Sequence, residues 1–196
     1  MTDLYELRGA YRALLGEGAY WSQRDKCCYW VDIKKNAVIR WDPVKQKQQL
    51  WNTPASVGFI IEKPGGSGFV AGLRKGIADV ELDDDSDNIR VTETRPLELD
   101  IPGNRLNDGS ADPFGRVWAG SMDDAEKAET GSWWVVDQQG AYSAVAGGFG
   151  VTNGPAFSVD KKSVFLTDSP KRVIYKAPLE SGNSTKMHLT EWAKFP

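Results

Sequence analysis

The sequence predicts an all-β chain assembled from blade-like units of roughly 45 residues, the pattern of a β-propeller. Three observations carry this. First, the chain repeats itself: Trp21-Ser-Gln-Arg-Asp-Lys-Cys-Cys-Tyr-Trp-Val-Asp32 lines up with Phe157-Ser-Val-Asp-Lys-Lys-Ser-Val-Phe-Leu-Thr-Asp168 at an offset of 136 residues (157 minus 21). The offset holds without gaps through Tyr29/Phe165, Val38/Ile174 and Arg40/Lys176. Second, eight Trp, seven Phe and six Tyr stand beside twenty Gly and ten Pro, which favours strands joined by tight turns. Third, no stretch sustains helical periodicity.

Each copy reads aromatic, polar turn, apolar strand, Asp, polar turn, second strand. The first unit opens at Leu14-Leu-Gly-Glu-Gly-Ala-Tyr-Trp21 and places its second strand at Ala37 to Trp41. Glu62-Lys-Pro-Gly-Gly-Ser-Gly-Phe-Val-Ala-Gly aligns loosely at about one-third of the offset. The third unit centres on Arg105-Leu-Asn-Asp-Gly-Ser-Ala-Asp-Pro-Phe-Gly-Arg-Val-Trp-Ala-Gly-Ser-Met122, at about two-thirds. There Asp112-Pro-Phe-Gly115 is a turn, with Pro113 presetting φ and Gly115 free to take the left-handed conformation. Arg116 to Gly120 reads as a short buried strand, whereas Arg105 to Gly109 is polar and expected to lie outside any strand. Asp123 to Thr130 forms one polar turn at most. The fourth unit runs from Gly147-Gly-Phe-Gly-Val-Thr-Asn-Gly-Pro-Ala-Phe157 through a second strand at Arg172 to Lys176. The units stop at Trp192-Ala-Lys-Phe-Pro196 with nothing left to return and close a ring. The expectation is therefore an arc of four blades, with residues 1–196 forming one partial propeller domain.

Composition narrows the function classes. The chain has 196 residues, 40% hydrophobic and 26% charged, enough for a real core. Its formal net charge of −3 and pI near 5.3 argue against nucleic acid as partner. No apolar run approaches the roughly 18 residues of a membrane span. Met1 to Gly9 carries Asp3 and Glu6 and has no apolar core, so it is not a signal peptide, and the expected compartment is the cytoplasm. Cys27 and Cys28 are adjacent in an expected strand, so their side chains point to opposite faces and stay reduced. His188, the only histidine, has no acid partner at motif spacing and reads as a surface residue.

The chemical positions lie on the polar segments that bracket the strands. Glu17 sits between Gly16 and Gly18, which lets the backbone bring a carboxylate close to another group. Asn153 lies four residues before Phe157, as Glu17 lies four before Trp21. In a radial repeat, equivalent positions converge on one end of the central channel, so Glu17, Asn107 and Asn153 are expected to meet there. One carboxylate and amide oxygens are hard ligands, suited to a divalent cation that keeps several waters.

Gly16-Glu17-Gly18-Ala-Tyr-Trp21 followed by Tyr29-Trp-Val-Asp32-Ile33 resembles the opening of the regucalcin/gluconolactonase family, which also takes in luciferin-regenerating-enzyme-like proteins. Arg105-Leu-Asn107-Asp108-Gly109 with Asp112-Pro-x-Gly115-Arg-x-Trp118-x-Gly120-Ser-Met122 resembles its central signature. Asn153-Gly154-Pro155-Ala-Phe157 with Phe165-Leu-Thr167-Asp168-Ser169 resembles its third. The resemblance implies a six-bladed β-propeller, of which this chain covers about four blades. It implies one divalent cation (Ca, Zn, Mg, Mn or Fe(II)) in the channel and hydrolysis of a sugar lactone such as gluconolactone, arabinolactone or xylonolactone to the aldonic acid. Glu17 and Asn153 match family metal ligands. Asn107 matches a residue that reaches the cation's water or the substrate, and is counted with both groups. Arg105 matches a substrate-binding residue, and Asp123 and Asp124 lie where some members place an acidic substrate contact. The family's remaining ligand, an Asp that doubles as general base, belongs to a Pro-Asp-Gly-containing motif expected beyond Pro196, so activity of this chain alone is expected to be impaired. The alternative is a non-catalytic propeller that binds a divalent cation or a partner.

Overall fold

The computed structural model describes residues 11–66, 68–97, 100–182 and 186–196. The expectation for Met1 to Gly9 lies outside the described residues. Sixteen strands form four four-stranded antiparallel sheets, each meandering in chain order, and no helix occurs among the described residues. The first sheet holds β1 (Gly16–Ser22), β2 (Cys27–Asp32), β3 (Ala37–Asp42) and β4 (Lys47–Asn52). The second holds β5 (Val57–Glu62), β6 (Phe69–Leu73), β7 (Gly76–Glu81) and β8 (Arg90–Pro96). The third holds β9 (Asn104–Ala111), β10 (Val117–Asp123), β11 (Gly131–Val136) and β12 (Tyr142–Phe149). The fourth holds β13 (Thr152–Phe157), β14 (Ser163–Asp168), β15 (Val173–Pro178) and β16 (Thr190–Lys194). These are four propeller blades, and their first strands β1, β5, β9 and β13 line the centre.

Burial of apolar side chains between neighbouring blades holds the arc together. Tyr29, Val31 and Trp51 of the first blade pack with Phe69, Ala71 and Val80 of the second. Phe59 and Ile77 of the second meet Leu106, Ala119 and Val136 of the third. Trp118, Trp133 and Phe149 of the third meet Val164, Leu166 and Ala177 of the fourth. Each seam is an alternation of apolar residues on two facing sheets, the arrangement that strand periodicity dictates.

The repeat at an offset of 136 is structural. Asp32 and Asp168 end β2 and β14, and both are fully buried. Each carboxylate accepts N–H groups from the segment feeding its blade's inner strand: Leu14 and Leu15 donate to Asp32, Gly150 and Val151 to Asp168. A third buried carboxylate, Asp112, accepts from the N–H groups of Phe114 and Arg116, from Arg116 Nε at 2.6 Å and from Trp118 Nε1 at 3.0 Å. It closes the expected turn, in which Gly115 takes a φ of 82°. Cys27 is buried and Cys28 half-buried, both free, and His188 is exposed.

One expectation is corrected. Arg105 to Gly109 is not loop but the body of β9. The reason is visible in the register: Gly109 pairs with Ala119 and Leu106 with Ser121, so Asn107 and Asp108 together oppose Gly120. A β-bulge of this kind puts two successive residues on one side and so breaks the alternation by which strands are read. The same irregularity recurs in the other inner strands, between Glu17 and Tyr20, between Val57 and Phe59, and between Asn153 and Ala156. Gly18 and Gly154 sit at these bulges with φ of 60° and 99°, where a side chain would be strained.

Inner strands also approach one another closely. A Cβ on Gly58 would collide with the carbonyl groups of Asn107 and Leu106 across the β5–β9 seam. Gly58→Ala is therefore expected to destabilise the fold by about 1–3 kcal/mol, the usual cost of overpacking. Gly147→Ala, whose added methyl meets only Ser132 Oγ at 3.5 Å, is the control and should stay within about 0.5 kcal/mol of wild type. Urea denaturation of both variants checks this.

Candidate active site

Residues from the bulges of β1, β9 and β13 share one cavity, and of the four bulges only that of β9, Asn107-Asp108, carries polar side chains. This open cavity of 460 Å³ is lined by Gly18 and Tyr20 of β1, Phe59 of β5, Asp108 and Gly109 of β9, and Gly154 of β13. That is within the usual range for a small-molecule site.

Asn107 is 8% exposed and fully engaged. Its Oδ1 accepts from Arg105 Nη1 at 2.7 Å, while its Nδ2 donates to the Thr152 carbonyl at 2.7 Å and to Asn153 Oδ1 at 3.3 Å. A guanidinium only donates and a carbonyl only accepts, so these neighbours leave the amide one orientation. Asn107 and Asn153 are thus in contact, as the repeat leads one to expect, and both N–H groups of Asn107 are spent on Thr152 and Asn153. Asn153 Nδ2 donates to Ser169 Oγ at 2.7 Å, which leaves its Oδ1 to accept from Asn107.

Glu17 is exposed on β1 at the place equivalent to Asn153 on β13. Its charge reaches Asp108, a residue the sequence reading left without a role. Asp108 accepts from the N–H of Gly154 at 2.9 Å and of Gly109 at 2.8 Å. Burial raises its pKa, those two N–H groups oppose the rise, and the neighbouring Glu17 carboxylate adds to it. The only sequence signal for Asp108 was its place beside Asn107, and seeing its role needed the bulge that turns both residues the same way.

Glu17, Asn107 and Asn153 adjoin the cavity's lining in sequence but are not part of it, and the remaining expected residues are not part of it either. Arg105 is 1% exposed; its Nε donates to Asp124 Oδ1 at 2.7 Å and its Nη1 also reaches the Leu106 carbonyl. Asp124 accepts in addition from Lys34 Nζ at 2.9 Å and Arg74 Nη1 at 3.0 Å. Asp123 accepts from the N–H groups of Ala125, Lys127 and Ala128 and so caps the turn after β10.

This geometry sits in a recognisable sequence. The chain matches, over residues 15–195, the family described as SMP-30/Gluconolactonase/LRE-like region. It belongs to that family. A 6-deoxy-6-sulfogluconolactonase of Pseudomonas putida is 31% identical over 185 residues, covering 93% of this chain and 62% of that protein. A pentonolactonase of Haloferax volcanii is 30% identical, covering 83% of this chain and 52% of that protein. Among solved structures, a luciferin-regenerating enzyme superposes with a TM-score of 0.87 at 28% identity, covering 93% of this chain and 62% of that one. The chain therefore spans between half and two-thirds of the length of these family members. Its four blades occupy the places of four blades in a longer propeller.

The donor set suits a hard divalent cation. The Glu17 charge acts on Asp108, and the Asn153 oxygen stands beside the Asn107 amide. Among the described residues no group of three or more His, Cys, Asp and Glu is poised to hold an ion, so a cation here relies on amide oxygen beside carboxylate.

Asp124 gives a pH prediction. Burial disfavours its charged form, but hydrogen bonds from Lys34, Arg74 and Arg105 outweigh this and hold its pKa below the ordinary 3.8. The folded carboxyl binds its proton more weakly than the unfolded one. Its stabilisation is therefore full above pH 3.8 and is lost as pH falls through the lowered folded value. Asp124→Asn is expected to lower the urea midpoint at pH 7, with the gap to wild type narrowing as the buffer is taken below pH 3.8.

Proposed function

We propose that this chain is the larger part of a sugar-lactone hydrolase that uses one divalent cation. The family supplies the class of reaction, and the observation that carries the reading here is the joining of Asn107, Asp108 and Asn153 at one mouth, within electrostatic reach of Glu17. Glu17 and Asn153 would hold the cation, with Asp108 as the second carboxylate facing them. Bound there, a divalent ion supplies Lewis acidity toward a lactone carbonyl.

The chain's own residues do the rest of what can be assigned. The Asn107 amide spends its two N–H groups on the Thr152 carbonyl and Asn153 Oδ1, and so holds the proposed cation ligand Asn153 in place. Arg105 holds that amide from behind. Pro155 and Tyr20 line the same cavity and give an aldonolactone ring apolar surface to lie against. The general base is assigned by resemblance to an Asp in a Pro-Asp-Gly-containing motif, and residues 1–196 contain no such motif. Asp123 and Asp124, the other acids near the site, are committed to a turn and to cations. In this reading the protein acts in the cytoplasm on a small lactone, without nucleic acid or membrane.

The test is pH-stat acid release from gluconolactone, arabinolactone and xylonolactone, with and without chelator. It is run on the 196-residue chain and on a chain extended to the length of the relatives. The extended protein is expected to hydrolyse at least one lactone in a chelator-sensitive way. The 196-residue chain should be slower by on the order of 10²–10⁴, the contribution of a general base. Glu17→Gln in the extended protein should cost about 10–100-fold in cation affinity by calorimetry. Cation binding without any lactone hydrolysis in the extended protein would support the second reading, a non-catalytic cation-binding propeller. Unchanged cation affinity in Glu17→Gln would remove Glu17 from the metal site.

A further inference from the structure

Asp124 lies behind the channel, where three blades meet. Lys34 comes from the turn after β2 in the first blade, Arg74 from the turn after β6 in the second, and Arg105 from β9 in the third. All three direct a cationic group at the one carboxylate. The Asp124 backbone is pinned as well, its N–H donating to the Gly103 carbonyl at 3.1 Å.

We propose that Asp124 is a positioning residue that sets the Asn107 amide through Arg105, and so lets charges in the first and second blades fix a hydrogen-bond donor in the third. The inference rests on reading Asn153, whose Oδ1 accepts from that amide, as a cation ligand at the proposed lactone site. The Arg105 side chain is 2% exposed, and a guanidinium taken out of water persists only beside a counter-charge with its donors satisfied. Asp124 provides that charge through Nε at 2.7 Å, which fixes the plane of the guanidinium. A fixed plane delivers Nη1 to Asn107 Oδ1 at 2.7 Å, and the amide must then turn its N–H groups to Thr152 and Asn153. Without Arg105 in place, the Asn107 oxygen loses its donor, and only the acceptors Thr152 and Asn153 still hold the amide in this orientation. Lys34 and Arg74 hold the Asp124 carboxylate against rotation, and their turns are anchored to different sheets. The donor orientation is thus a property of the assembled arc rather than of β9 alone.

The experiment is hydrogen exchange at the Asn107 side-chain amide, followed by NMR on the 196-residue chain and assigned by its disappearance in Asn107→Ser. Wild type should show a protected side-chain amide, since Nδ2 donates at 2.7 Å to a buried carbonyl. Asp124→Ala should abolish that protection while the backbone amides of β14 and β15 keep theirs. Asp124→Asn, close to isosteric, and the double variant Lys34→Met/Arg74→Met should each weaken the protection in the same direction, and they serve if the alanine variant does not fold. In an extended chain that hydrolyses lactone, Asp124→Asn should lower kcat by about 10–100-fold, the usual effect of losing a partner behind a site residue, with KM changed less. Protection at Asn107 that is unchanged in the folded Asp124 variants would overturn the inference. Failure of the wild-type protein to hydrolyse any lactone bears on the enzyme reading alone, because the exchange measurement needs no substrate.

Discussion

Everything near the channel depends on how closely the inner strands approach one another. β5 and β9 come together so tightly that position 58 has no room for a Cβ beside the Asn107 carbonyl. Flat, regular strands at that spacing would point every second side chain into the crowd. The bulges at 18–19, 58, 107–108 and 154–155 relieve this by adding a residue to each inner strand, which increases local twist and re-aims the flanking groups. The same local irregularity that lets the blades converge is what turns polar residues into the channel. Packing and site are one solution.

The second constraint is how each inner strand is delivered to its place. Asp32 and Asp168 do this from the adjacent strand, capturing the N–H groups of the segments that enter β1 and β13. Burial alone would raise the pKa of Asp32, but the Tyr11 hydroxyl and the N–H groups of Leu14, Leu15 and Lys35 more than offset it, and the shift is downward. A buried carboxylate that accepts several N–H bonds is worth more than its own desolvation, and it is rigid. Glu17 and Asn153 each follow within three residues of the captured segment. Their equivalence is therefore mechanical: two copies of one clamp place two different polar side chains at matching positions in their blades.

This explains what was legible in the sequence. The 136-residue offset is carried by strand-forming aromatics and by the clamp aspartates, residues whose roles are local, so the blades and the Glu17–Asn153 correspondence could be read directly. The turn at Asp112-Pro-Phe-Gly115 was likewise legible, because its chemistry lies within five residues. β9 was not. Its polar run Arg105-Leu-Asn-Asp-Gly lacks the alternation of a half-buried strand, since the bulge suspends that alternation and since the burial of Arg105 is arranged by Asp124, nineteen residues away. Asp108 was missed for the same reason. Its significance comes from Gly154 and Glu17, on two other blades, and no spacing along the chain encodes those contacts. Asp123 and Asp124 look alike as neighbours, yet one closes a turn and the other gathers cations from three blades.

The charges of the site fall into two layers, and their signs are opposed. Facing the channel are Glu17 and Asp108, formally −2 when both are ionised. Behind Asn107 lie Lys34, Arg74 and Arg105 against the single carboxylate of Asp124, formally +3 − 1 = +2. An all-acidic channel would bind a cation tightly but would also repel the negative charge that a lactone carbonyl acquires during attack. The positive layer moderates both tendencies, and the Asn107 amide lies at the boundary, joined to Arg105 on one side and to Asn153 on the other. Because Arg105 is buried, its field is little screened by salt, whereas Lys34 is solvent-exposed and contributes mainly by holding Asp124. On the proposed lactone-hydrolase reading, the positive charge behind Asn107 is supplied by residues outside the cavity lining, in a layer built from the first three blades.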